Sequence, residues 1–154
     1  MRENLAPILL TLSSMAVFGL LLYTVFYRID YPYDLEWMEG GMLIHAWRVM
    51  QGQGLYVEPS SDFIPYIYLP MYSWILAGLS SVVGLDYWVG RGVSCIGTML
   101  AIVALIVALR GEGLNRSLAI FGGALFCSTY EDTGTFFDLT RADSCTLAAL
   151  TWSL

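Results

Sequence analysis

Apolar residues come in long runs along this chain, and most of the charged ones are gathered between the runs. The first run, Pro7 to Tyr27, is interrupted only by hydroxyls and small residues. At about 1.5 Å per residue, roughly 20 such positions cover a hydrocarbon core of about 30 Å, so 7–27 reads as a membrane span. It reads as a retained anchor and not a cleaved leader, because the run is long and no small-x-small site follows it. Beyond it the pattern changes. Leu35, Met38, Met42, Ala46 and Val49 recur at steps of three and four, one face of an amphipathic helix over 35–51 lying on a bilayer surface. Glu36, Glu39, His45, Arg48 and Gln51 fall off that stripe. Asp34 stands where an N-cap would, and Gly52 and Gly54 end the pattern.

The run 66–83 supports two readings. It opens on Tyr66, Tyr68, Tyr72 and Trp74 with Pro70 among them, an aromatic mouth that suits the interface, yet it is long enough to cross. The run 87–109 is a span. The turn Arg110 to Arg116 follows, then an apolar segment 117–130 taken as a further span and a polar outer loop 131–143. The last stretch, 144–154, begins another span that no glycine, charge or cap closes, so the sequence reads as the front part of a longer, multi-pass all-α protein. Arg2 weakly favours a cytoplasmic N-terminus. If 66–83 stays on the surface, Arg110 and Arg116 join Arg2 inside. Asp138, Arg141 and Asp143 then share the outer side with Asp34, Glu36 and Glu39.

Composition supports a membrane class: 57% of the residues are hydrophobic, too many for an ordinary soluble domain. The net charge is −6, which argues against nucleic acid, whose partners carry basic stripes. Every basic residue is Arg and none is Lys, so any anion held by a side chain is held by a guanidinium, whose planar fork suits phosphate. Cys95, Cys127 and Cys145 lie inside apolar stretches without metal-ligand or disulfide spacing, and read as small membrane-facing thiols.

Two polar constellations carry candidate chemistry. In Tyr31 to Gly41, Asp34, Glu36 and Glu39 crowd together just after the first span. Ionisable groups beside a bilayer are costly, and a carboxylate there can take a proton from an attacking hydroxyl. The plainer account is capping by Asp34, with Glu36 at the positive end of the helix dipole. In Phe136 to Ser144, Arg141 flanked by Asp138 and Asp143 suits an anionic headgroup or leaving phosphate, or else forms a self-neutralising pair. His45, the single histidine, reads as a solvated residue on the polar helix face, with Arg48 beside it facing substrate or lipid headgroups. Tyr66, Tyr68 and Tyr72 read as interface anchors.

Taken in order, these motifs resemble the GT-C membrane glycosyltransferases. The match is carried by the leading span, Asp34-Leu35-Glu36, the surface helix, Tyr56…Pro65…Tyr68-Leu69-Pro70-Met71-Tyr72, and Arg141-Ala142-Asp143. The nearest likeness is to bacterial relatives of protein O-mannosyltransferases and lipid A aminoarabinose transferases, over the front half of such an enzyme. The resemblance implies many transmembrane helices with juxtamembrane helices in the first outer loop, and favours the surface placement of 66–83. It also implies a polyprenyl-phosphate sugar donor used at the outer face of a bacterial plasma membrane. Asp34 would be the base with Glu36 beside it, and Glu39, Arg48, Tyr68, Asp138, Arg141 and Asp143 would contact substrate. Two features depart from the family. Leu35 separates the acidic pair that the mannosyltransferases place side by side, and the phosphate-binding Lys of some relatives has no counterpart. The acceptor and any divalent cation are thus left open, and no other cofactor is implied. The rival classes are a transporter or channel component, which would carry acids inside its spans, and a non-catalytic membrane scaffold. The expected partners are the lipid-linked donor, membrane lipid and the remaining C-terminal part of the protein.

Overall fold

The computed structural model describes residues 5–153, so Arg2, used above for orientation, and Leu154 lie outside the described residues. Among the described residues six helices follow one another: α1 (Leu5–Arg28), α2 (Met38–Met50), α3 (Met71–Val83), α4 (Tyr87–Gly111), α5 (Arg116–Ser128) and α6 (Asp143–Trp152). Among the described residues there are no strands, as an all-α chain requires.

Among the described residues, α1 and α4, of 24 and 25 residues, are the two helices long and apolar enough to cross a membrane. α1 presents much of its apolar surface outward: Leu20 is 67% exposed and Phe26 75%. α4 is the hub, with α2, α3, α5 and α6 packed on it, while α1 packs on α5. The central cluster joins Met42 and Ala46 of α2, Tyr72 and Leu76 of α3, and Val89 and Val93 of α4.

Several boundaries differ from the sequence expectation. The helix expected over 35–51 begins at Met38, because Asp34 and Glu36 satisfy its first amides from outside instead of opening it. Asp34 Oδ1 accepts the Gly40 N–H at 2.8 Å, and Glu36 Oε2 accepts the Met38 N–H at 3.1 Å. Its end is as expected: Gly52 takes a positive φ of 69°, and its N–H donates to the Val49 carbonyl. In 66–83 only Met71–Val83 is helical, since Pro70 starts the helix and cannot lie inside it. That helix and α5 have 13 residues each, about 20 Å at 1.5 Å per residue, so the expected span 117–130 is too short to cross a core of about 30 Å.

The two ends of the bundle are defined by side-chain contacts. Arg91, near the start of α4, donates to the carbonyl of Arg28 at the end of α1 (3.1 Å), and Thr11 of α1 meets Ser117 of α5 (3.5 Å) at the opposite end. The chain between α1 and α4 therefore leaves and returns at one end. α2 and the short α3 lie there.

The stretch 131–143, expected as an outer loop, turns inward after Gly134. Phe137 to Ala142 are buried. An irregular backbone survives burial only when its polar groups find partners, and α4 supplies them. Thr98 Oγ1 donates to the Phe137 carbonyl (2.7 Å) and Ser94 Oγ to the Arg141 carbonyl (3.0 Å). α6 then runs so close to α4 that a Cβ on Gly97 would lie 2.9 Å from the Cys145 nitrogen and 2.9 Å from the Ser144 carbonyl carbon. Both are backbone atoms that cannot rotate away. Gly97→Ala should therefore cost about 1–3 kcal/mol, seen as a lower thermal unfolding midpoint; an unchanged midpoint would mean that the α4–α6 contact is looser than described.

Candidate functional site

The acidic segment and the buried segment 137–142 meet at the end of the bundle that holds α2. Arg141 joins them. Its Nη1 donates to Glu36 Oε2 (3.1 Å), its Nε to Asp143 Oδ2 (2.8 Å) and its Nη2 to the Tyr68 hydroxyl (3.2 Å). Its guanidinium also lies 4.0 Å from the centre of the Phe136 ring, which fixes its plane. Burial lowers the Arg141 pKa, but the bonds and charges of Asp143 and Glu36 outweigh it, and the net shift is upward. Asp34, two residues before Glu36, is exposed. The structure thus brings Glu36, Tyr68, Arg141 and Asp143 into contact, while Asp34 accepts the Gly40 amide. Tyr68 and Asp143 also line a small adjoining cavity of about 350 Å³.

The other expected site residues are occupied elsewhere. Glu39, expected on a polar face and in contact with substrate, is fully buried. Its Oε1 accepts from Arg91 Nε (3.0 Å) and the Thr140 amide (2.8 Å), and its Oε2 from Arg91 Nη2 (2.7 Å) and the Leu35 amide (2.7 Å). A carboxylate offers about four lone-pair positions, and these bonds fill them. Burial raises the Glu39 pKa; the Arg91 bond and the two amides lower it further than burial raises it, leaving it below the ordinary carboxylate range. Asp138 is likewise buried, 3.0 Å from Arg28 and bonded by the Tyr130 hydroxyl (2.8 Å). There burial prevails over the Arg28 charge, and its pKa is raised. Arg48 does not reach the cluster. Its Nε and Nη2 donate to the Gly54 carbonyl (3.1 and 3.0 Å), and its guanidinium lies over Phe63.

Arg91 is the residue that sequence reasoning missed. It is fully buried and spends its donors on Glu39 and on the carbonyls of Arg28, Ile29, Tyr31 and Tyr33, holding the acidic segment in place. The signal was present: a lone Arg near the start of a long apolar helix demands a carboxylate partner.

His45 also departs from its expected solvated position. It is buried, stacked on Tyr66 with centroids 4.6 Å apart. The Tyr66 amide must donate, so Nε2 accepts it (2.9 Å) and Nδ1–H donates to the Gly41 carbonyl (2.7 Å). Only the neutral ring makes both bonds. Burial is the main cause of its lowered pKa, and the charge of Arg48 adds to it against the pull of the Gly41 carbonyl. Because the folded value lies below the ordinary 6.5, the stabilisation is complete above that pH and is lost as pH falls through the folded value. Thermal scans from pH 7.5 to 5 should show a fall in midpoint that His45→Gln largely removes; an equal slope in the variant would assign the fall to other groups. Tyr72, expected at the interface, is buried with its hydroxyl on the Gly90 carbonyl (3.1 Å), and Cys127, expected to face the membrane, is buried in protein.

Among the described residues no three His, Cys, Asp or Glu side chains converge as a metal site. Compared with known family models, curated proteins and solved structures, the chain gives no match. The class defined by fold and site is therefore a general one: a helical protein with two membrane-length helices and an arginine–carboxylate cluster at one end.

Proposed function

We propose that this chain is the front part of a membrane glycosyltransferase that moves a sugar from a polyprenyl phosphate to an acceptor hydroxyl at the outer face of the plasma membrane. α1 and α4 cross the bilayer, α2 and α3 rest on its outer surface, and the remaining spans belong to the rest of the protein. The observation that carries this reading is the contact of Arg141 with Glu36 and Tyr68 beside exposed Asp34, groups drawn from segments 105 residues apart. Supporting it, α2 and α3 sit at a single end of the bundle, and α1 turns apolar side chains outward where lipid would cover them.

In this mechanism the donor phosphate docks against the N–H groups that Arg141, only 8% exposed, has left after bonding Glu36, Asp143 and Tyr68, a charge-assisted contact that strengthens as negative charge develops. The acceptor oxygen bonds to the anomeric carbon from the face opposite the phosphate, while the bond from that carbon to the phosphate oxygen breaks. The polyprenyl phosphate leaves with the electron pair, and Asp34 takes the proton of the acceptor hydroxyl. Glu39 acts through Arg91 as a positioning residue and touches no substrate. A transported cation is disfavoured, because Glu39 and Asp138, the buried acids, are already paired with arginines.

The test is to reconstitute the protein, expressed from its complete coding sequence, in liposomes with radiolabelled polyprenyl-phosphate hexoses, pentoses and aminopentoses. Label should move from the lipid to a second product. Intact donors in every case, with the protein folded, would overturn the reading.

A further inference from the structure

Beside the carboxylate cluster lies a cleft of about 640 Å³ between α2 and the 61–66 segment. Trp37, Ile44 and Tyr66 form its walls, and Ser61 and Asp62 belong to its edge. Trp37 stands edge-on to Tyr66, with centroids 6.3 Å apart and planes at 78°, so two aromatic faces make a corner. The Tyr66 side of that corner is rigid, since its ring stacks on His45 and its amide is bonded to the same imidazole.

The cleft adjoins Asp34 through two consecutive glycines. A Cβ on Gly40 would lie 3.0 Å from Asp34 Oδ1, and a Cβ on Gly41 would overlap the Tyr66 ring. Glycine weakens a helix, yet here two of them open α2, and their bareness sets the aromatic wall one residue from the carboxylate. Tyr66 accordingly feels the charges of Glu36, Asp34 and Arg141.

We propose that this cleft binds a pyranose ring as the acceptor of the transfer, an inference that rests on the reading above and names its acceptor as a carbohydrate. A pyranose has an apolar C–H face, which suits the Trp37–Tyr66 corner, and a rim of hydroxyls, which suits the Asp62 carboxylate and the Ser61 hydroxyl. An organic cation is a poorer occupant. The Arg48 guanidinium already lies 4.0 Å from the centre of the neighbouring Phe63 ring and puts positive charge behind the wall. A ring stacked in the corner presents a hydroxyl toward Asp34, whose carboxylate accepts the amide of Gly40, the residue next to Gly41 in the cleft lining.

The experiment is saturation-transfer NMR on the protein from its complete coding sequence, in lipid nanodiscs free of glycoside detergent, titrated with methyl hexopyranosides. Transfer to the ring C–H protons should saturate in about the millimolar range. Trp37→Ala should weaken it about tenfold, and because Trp37 is 74% exposed the fold should tolerate the change. Asp62→Asn should weaken it as well, while Asp34→Asn should still bind. Equal transfer to cyclohexylmethanol, displacement by tetramethylammonium alone, or no effect of Trp37→Ala would overturn the inference. Glycoside binding without transfer from any donor would keep the cleft and remove the transferase reading. Transfer to a peptide or lipid hydroxyl without glycoside binding would do the reverse.

Discussion

Arg91→Leu lowers stability by about 3–5 kcal/mol, the scale for removing one partner of a buried ion pair. The substitution strands Glu39, which is completely buried, and removes the donor from the part-buried bonds to the carbonyls of Arg28, Tyr31 and Tyr33. For a domain of this length the unfolding midpoint should fall on the order of 10 °C. Labelling of the buried thiol of Cys127 during heating reports it. Adding Glu39→Gln to Arg91→Leu should restore part of the loss. The charge is then gone, and the single amide oxygen can still accept from one of Leu35 and Thr140, but the other amide and the stranded carbonyls lose their partners. A midpoint shift of about a degree for Arg91→Leu would show that water reaches the pair, and would remove Arg91 as the organiser of the acidic segment.

Under the proposed mechanism, Asp34→Asn should lower sugar transfer by about 10²-fold or more, the usual scale for a general base. The fold should be kept, because an asparagine carbonyl still accepts the Gly40 amide that caps α2. The loss belongs in kcat with donor KM little changed, since the proposed mechanism sets the donor phosphate against Arg141 and not Asp34. Asp34→Ala loses both roles and should add a stability cost of about 1 kcal/mol. Full turnover in Asp34→Asn would take Asp34 out of the chemistry and leave it as a cap.

The sequence fell short where burial of a charge depends on a distant partner. Glu39 lies off the apolar stripe of α2, and periodicity alone assigns such a position to water. Its partners, Arg91 and Thr140, are 52 and 101 residues away. His45 was misjudged for the same reason, because the Tyr66 amide that donates to its ring comes from another segment. The polar stretch 136–142 looked solvated, yet the hydroxyls of Ser94 and Thr98 on α4 give its backbone a buried home.

By itself the sequence determined that the protein is helical, that the runs 7–27 and 87–109 form helices of membrane length, and that acids and arginines gather in two places along the chain. Run length and three-to-four periodicity are local properties, and so are the glycine and proline that bound α2 and α3. Tertiary structure alone decided which charged groups are walled in and which stay open. It also decided that Asp34, Glu36 and Arg141 share one end of the bundle, and that two glycines set an aromatic cleft beside them. Those outcomes follow from satisfying every buried donor and acceptor at once, a condition on the folded whole that no single segment encodes.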